Sequence, residues 1–178
     1  MNKHLRNIGL CAMGLIIASP AFAEDAETLA TVKVVVPIEI THHTDLSFGK
    51  IAAGGAAGSV TLLAGLSGSS TITSVPTSIT VTGSPGPARF TVYGSKGASV
   101  GLSASTTGLS NGNGDKLTVE DFNFESFQSS DGTSVTGTPV NLDANGRLGV
   151  NMGATLTIPD GSPYGDYSGN VTFSVTYN

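Results

Sequence analysis

Apolar and polar positions alternate along this chain in short runs, and the last run is the most regular. From Tyr167 onward the odd positions Tyr167, Val171, Phe173, Val175 and Tyr177 are apolar or aromatic, with Gly169 interrupting them. The even positions from Ser168 to Asn178 are polar. A period of two sends alternate side chains to opposite faces, so this pattern predicts a strand with one buried face. The sequence ends on that strand, so its outer edge is expected to pair with a partner supplied from elsewhere. A second run, Ala30, Val32, Val34, Val36, Ile38 and Ile40, predicts a long extended stretch. Pro37 cannot donate to a ladder and should mark a bend, an edge or a border between two strands.

Further strands are expected at 46–49, 59–63, 78–82, 88–93, 100–103, 117–119, 122–127, 147–152 and 154–158, and no segment shows the period of an amphipathic helix. Turn signals separate them: Gly54-Gly55, Pro85-Gly86-Pro87, the run Asn111 to Asp115, Asp131-Gly132, Asn145-Gly146 and Asp160-Gly161. Many short strands punctuated in this way predict an all-β sandwich or barrel in a single domain. The Gly-Ser-Thr tract at 65–73 is expected to be a surface loop.

The N-terminus fixes the expected compartment. Lys3 and Arg6 precede a mostly apolar run from Ile8 to Ala18, and Ala21-Phe22-Ala23 supplies a small-x-small cleavage site. Residues 1–23 therefore read as a signal peptide and Glu24 as the first mature residue. The apolar run is too short to span a bilayer, so no membrane span is expected in the mature chain. Cys11, the single cysteine, falls in the removed segment, which leaves no disulfide in a compartment that would permit one. Loss of Lys3 and Arg6 takes the formal charge from −5 to −7. An acidic chain without a basic cluster argues against nucleic acid and anionic membranes as partners.

Candidate chemistry is thin. Gly108-Leu109-Ser110-Asn111-Gly112 matches a nucleophile elbow in spelling, but the elbow needs a helix after the serine, and here turn residues follow. His42 and His43 are sequence neighbours, which on a strand point to opposite faces and cannot share a metal or serve Ser110. Asn113, Asp115, Asp131, Asp143 and Asp160 lie near glycines, yet hairpin turns use these residues for backbone reasons, and a calcium loop needs a denser ligand series. Phe122, Phe124 and Phe127, with acids between them, could form a ligand-facing patch, but Phe122 and Phe124 share one strand face and read as core, and Phe90 with Val92 reads as the inner face of a half-buried strand. No catalytic residue, metal site or cofactor is expected, and the chain is not expected to be an enzyme.

The two ends carry a resemblance. Tyr177 is penultimate, Gly165 is the fourteenth residue from the end, and an alternating strand lies between them. In these features the chain resembles bacterial chaperone–usher pilins. The resemblance implies an immunoglobulin-like β-sandwich that lacks its last strand, completed first by a periplasmic chaperone and then by the N-terminal extension of the next subunit. It implies a division into a signal peptide (1–23), a donor extension (24–36) and a pilin-like domain (37–178). The donor face would be Ala26, Thr28, Ala30, Val32 and Val34. The polymerisation strand would be Gly165, Tyr167, Val171, Phe173, Val175, Tyr177 and Asn178, whose carboxylate the chaperone would hold. Asp45-Leu46-Ser47-Phe48-Gly49 and Gly165-Asp166-Tyr167-Ser168-Gly169 also resemble motifs of a less characterised group of secreted bacterial proteins. The implied function is a structural subunit of a surface fimbria, secreted through the periplasm and contributing to adhesion or biofilm formation. Its partners would be copies of itself or related subunits, the chaperone and an outer-membrane usher. The alternative is a monomeric secreted sandwich that binds a glycan or protein through its loops.

Overall fold

A computed structural model describes residues 26–66, 70–128, 132–135 and 139–178. The expected signal peptide, Cys11 and the first two residues of the expected extension lie outside the described residues. The chain divides into one unit ending at Lys33 and a second spanning Val34–Asn178. Within the first, residues 26–33 are exposed and form no regular secondary structure.

The second unit is all-β. Its strands run β1 (Glu39–Thr44), β2 (Lys50–Ala52), β3 (Gly58–Ala64), β4 (Ser70–Val75) and β5 (Thr80–Thr82). They continue with β6 (Ala88–Tyr93), β7 (Ser99–Thr106), β8 (Leu109–Ser110) and β9 (Lys116–Phe127). The last four are β10 (Ser134–Val135), β11 (Val140–Asn141), β12 (Arg147–Ile158) and β13 (Val171–Tyr177). Every strand pairing is antiparallel.

Strand β12 is the axis of the larger sheet. One edge pairs with β9 from Gly149↔Phe127 to Thr157↔Thr118. Its other edge takes β6 from Arg147 to Met152 and then β3 from Ala154 to Ile158, end to end. Outside these, β1 pairs with β6 and β4 with β3. A second sheet has the order β11-β7-β13, and β2 pairs with β5 as a separate ribbon. The order β1-β6-β12-β9 facing β7-β13 matches strands A-B-E-D and C-F of an immunoglobulin sandwich. The protein is an immunoglobulin-like β-sandwich, with β2–β5 inserted between A and B. In the complete fold a strand G lies on the outer edge of F. Among the described residues, nothing pairs with that edge of β13.

The alternating pattern explains the core. Val92, Leu148 and Val150 from the first sheet meet Val100, Val140 and Leu142 of the facing side. A second cluster, with Val60, Leu62, Leu156 and Ile158, extends beneath the insertion and is plugged by Phe48. The two clusters meet where β6 gives way to β3, and Gly153 sits at this joint. The Asn123 side chain crosses there from β9, accepting from Ala64 N–H at 2.8 Å and donating to Leu62 C=O at 3.1 Å. A Cβ on residue 153 would collide with the Leu62 carbonyl and with Asn123.

Several expectations need correction. The run from Ala30 is not strand until Glu39, because residues 30–38 have no partner edge among the described residues. Segment 46–49 makes one bridge, Ser47↔Gly86, in place of a strand. The tract expected as a loop, 65–73, overlaps β4, which begins at Ser70. The pairs 117–119 with 122–127, and 147–152 with 154–158, are single strands; Asp121 at φ 49° kinks the first without ending it. The terminal strand begins at Val171, so Gly165 and Tyr167 precede it.

We expect Gly153→Ala to lower stability by about 1–3 kcal/mol through overpacking at the joint, seen as a lower urea midpoint. Gly112→Ala, where a Cβ meets nothing within 4 Å, should leave stability within about 0.5 kcal/mol of the parent.

Candidate strand-docking groove

Ile38 just before β1, and Ile40 and His42 on it, take the phase toward the core, while Glu39, Thr41 and His43 take the other. The register confirms it, since Ile40 pairs opposite buried Val92 and His42 opposite Phe90. On β13, Val171, Phe173, Val175 and Tyr177 point inward while Thr172, Ser174 and Thr176 are exposed. In a closed sandwich such inward side chains are buried. Here the four β13 residues are half-buried, and Ile40 remains 37% exposed.

Aromatic rings form the floor between the two strands. Phe90 stacks on Phe173 at 4.4 Å, Phe124 lies tilted at 5.9 Å from Phe173, and His42 is 5.4 Å from Phe90. This row reaches from one sheet to the other. Neither the outer edge of β1 nor that of β13 is paired among the described residues. The result is a groove with two ladders of available backbone groups for walls and an aromatic base.

The ends of the groove differ. At one end the Tyr177 hydroxyl donates to Val36 C=O at 2.6 Å and accepts from Ser95 N–H at 2.7 Å. Val36 N–H donates in turn to Ser95 Oγ at 2.7 Å. These three bonds tie the approach to β1 to the end of β13 and to the β6–β7 turn. The other end opens into a cleft of about 1020 Å³ whose lining includes all of Asp45–Gly49 and Gly165–Gly169. The two motifs, far apart in sequence, thus meet in space. Each is anchored by paired backbone bonds: Ser47 exchanges both with Gly86, and Ser168 both with Ser110. Phe48 belongs to the core, and Tyr167 packs against the same cluster with its hydroxyl donating to Pro163 C=O at 2.9 Å. At the mouth His42 Nε2 lies 3.3 Å from Asp45 Oδ1.

Of the expected polymerisation residues, Val171, Phe173, Val175 and Tyr177 line the groove, while Gly165 and Tyr167 line the cleft. Asn178 continues the β13 ladder through a bond from its N–H to Ser99 C=O at 3.1 Å. Of the expected donor residues, Ala26, Thr28, Ala30 and Val32 lie in the first unit, all exposed, with Val32 at 87%. Val34, at the start of the second, is 88% exposed. The alternation alone did not single out Ile38, Ile40, His42 and Phe90 as the opposite wall and floor, nor the Val36–Ser95–Tyr177 node. The inward phase of Ile38 and Ile40 was visible, but it was merged with the longer run before Pro37.

Other candidates resolve simply. Ser110 is followed by a turn at Asn111–Asp115 and then β9, so no nucleophile elbow forms. His43 turns away from His42 to share a hydrogen bond with Thr91 Oγ1 at 2.9 Å. Asp143 Oδ1 accepts from Asn145 and Arg147 N–H, a turn-forming arrangement. Among the described residues no group of three His, Cys, Asp or Glu side chains is placed to hold a metal. No helix among them is long and apolar enough to cross a membrane.

The geometry defines an immunoglobulin-like domain with an unfilled G position. The chain belongs to the DUF4402 family, a domain of unknown function, whose model matches residues 38–177. No curated protein and no solved structure gives a match to the chain.

Tyr177→Phe removes the hydroxyl from the three-bond node and leaves Ser95 N–H without that partner. We expect a stability loss of about 1 kcal/mol, measured by urea unfolding, with the fold retained by circular dichroism.

Proposed function

We propose that this protein is a structural subunit of a surface fimbria or pilus, and that it polymerises when an extended segment of another copy fills the groove between β1 and β13. The observation that carries this reading is the half-exposed inward face of β13, lying along an unpaired edge where a complete immunoglobulin sandwich would hold strand G. The candidate occupant is segment 26–36. It supplies Ala26, Thr28, Ala30, Val32 and Val34 on one face and offers a full set of backbone groups for both walls. Burying a Val-sized side chain contributes about 1.5–3 kcal/mol, and two ladders satisfy edges that otherwise rely on water. A head-to-tail contact of this kind does not close on itself and propagates as a filament.

On this reading the signal peptide at 1–23 directs export, a chaperone and usher handle the subunit before assembly, and the fibre serves adhesion or biofilm formation at the cell surface. The acidic mature chain, without a basic cluster, gives no support for nucleic acid as a partner. A second reading, a monomeric secreted domain that binds a glycan or protein, draws on the cleft at the two motifs. Its polar lining includes Asp45, Ser47, Asp166 and Ser168.

Sizing and thermal unfolding separate the two. In one form the mature chain is unaltered; in the other, segment 24–36 is moved behind Asn178 through a flexible linker. The pilin reading expects the unaltered chain to polymerise, and the rearranged chain to be monomeric with a much higher Tm. A stable monomer that is destabilised by moving the segment would favour the monomeric binding domain.

A further inference from the structure

We propose that the cleft between Asp45–Gly49 and Gly165–Gly169 is a saccharide site. Its ligand is an uncharged glycan, stacked on the Tyr164 ring and hydrogen-bonded by the carboxylates of Asp45 and Asp166. This rests on the second reading above, in which the cleft binds a ligand, and requires no strand docking.

The cavity holds about 1020 Å³, at the upper end of the roughly 300–1,000 Å³ usual for small-molecule sites. Its inner wall is apolar, drawn from Leu109, Leu117, Leu156 and Ile158, and its mouth is polar. Tyr164 lines that mouth and is 88% exposed; no other Phe or Tyr among the described residues is as open. A flat ring of this kind offers a face to the C–H side of a sugar and a hydroxyl at its edge. Among the described residues, the side chains of Lys50, Tyr164, Asp166 and Asn170 line the cleft without a hydrogen bond to the protein. They comprise donors, an acceptor and a hydroxyl that is both. Sugar hydroxyls donate and accept alike, so a mixed set suits them.

Two other ligand classes fit less well. Asp45 and Asp166 outnumber Lys50 at the mouth, and the whole chain is acidic, which disfavours phosphate, sulfate and acidic sugars. A peptide added as a strand needs open backbone groups. Those of Ser47 and Ser168 are already exchanged with Gly86 and Ser110.

The loop that carries Tyr164 and Asp166 is pinned on both sides. Gly161 N–H donates to Gly55 C=O at 3.0 Å, the Tyr167 hydroxyl to Pro163 C=O at 2.9 Å, and Ser168 N–H to Ser110 C=O at 3.0 Å. A site held in this way loses little freedom when a ligand enters.

The test applies the mature chain to an array of immobilised neutral, sialylated and sulfated glycans. The strongest neutral ligand is then titrated by calorimetry against the parent, Tyr164→Ala, Tyr164→Phe and Asp166→Asn. Thr71→Ala, on the outer face of β4, is the control. All three positions are exposed, so the fold should survive, and circular dichroism verifies it. Neutral glycans are expected to be retained and charged ones not. Tyr164→Ala and Asp166→Asn should each weaken binding about tenfold, while Tyr164→Phe and Thr71→Ala stay within about threefold of the parent. No retention, or retention confined to charged glycans, would overturn the saccharide. If a displayed peptide library then yields a binder that Tyr164→Ala abolishes, the cleft remains a binding site and only the ligand class fails. If neither library yields a binder, or if glycan binding ignores Tyr164→Ala and Asp166→Asn, the cleft reading fails as well.

Discussion

Backbone pairing at two sheet edges governs this structure. Strands β1 and β13 each satisfy one edge, against β6 and β7, and each leaves the other edge unpaired among the described residues. Edge groups exposed to water are tolerable, but they form a template for another strand. The half-exposed side chains between them, centred on the Phe90–Phe173 stack, make the template apolar as well as polar. Hydrogen-bond complementarity and apolar burial therefore favour the same occupant, an extended segment with alternating small apolar residues.

The rest of the molecule holds those edges in place. Strand β12 carries β9 on one side and both β6 and β3 on the other, so β1 takes its position through β6 from a largely buried axis, while β13 is held by its ladder to β7 in the facing sheet. Gly153 and Asn123 join the two halves of that axis, and the Tyr177 hydroxyl spans one end of the groove. The other end is framed by the Asp45–Gly49 and Gly165–Gly169 segments, whose paired backbone bonds to Gly86 and Ser110 fix the cleft. No cysteine lies after residue 23, so no disulfide supports the sandwich. Of the candidate donor face only Val32 and Val34 are large enough to contribute about 1.5–3 kcal/mol each when buried, against a cost of association of about 4–15 kcal/mol. The ladder bonds therefore matter to whether docking is tight.

The alternating pattern revealed the long strands that pair within the domain, and missed β2, β4, β8, β10 and β11. β6 matches its expected bounds residue for residue, and β13 differs only in starting at Val171. β4 was hidden because its inward positions are Ser70, Ile72 and Ser74, small polar residues around one apolar side chain. β9 and β12 looked like two strands each, since a glycine or a charged pair interrupts the apolar series without breaking the ladder. Residues 30–38 show the opposite case. Their pattern states which face can be buried, but period alone cannot say whether the matching edge belongs to the same chain. For the candidate site, the β13 wall was legible from alternation, while the β1 wall, the aromatic floor and the Tyr177 node depend on long-range pairing that no local pattern encodes.

Amide hydrogen exchange on the mature chain, followed from dilute to concentrated solution, tests the central claim most directly. Strand β4 serves as an internal comparison, because its outer edge is also unpaired among the described residues. If a second copy fills the groove, alternate amides of β1 and β13 and those of segment 26–36 become protected together as concentration rises, while β4 does not change. Unchanged protection along β13 at every concentration, or protection gained at β4 instead, would contradict the account.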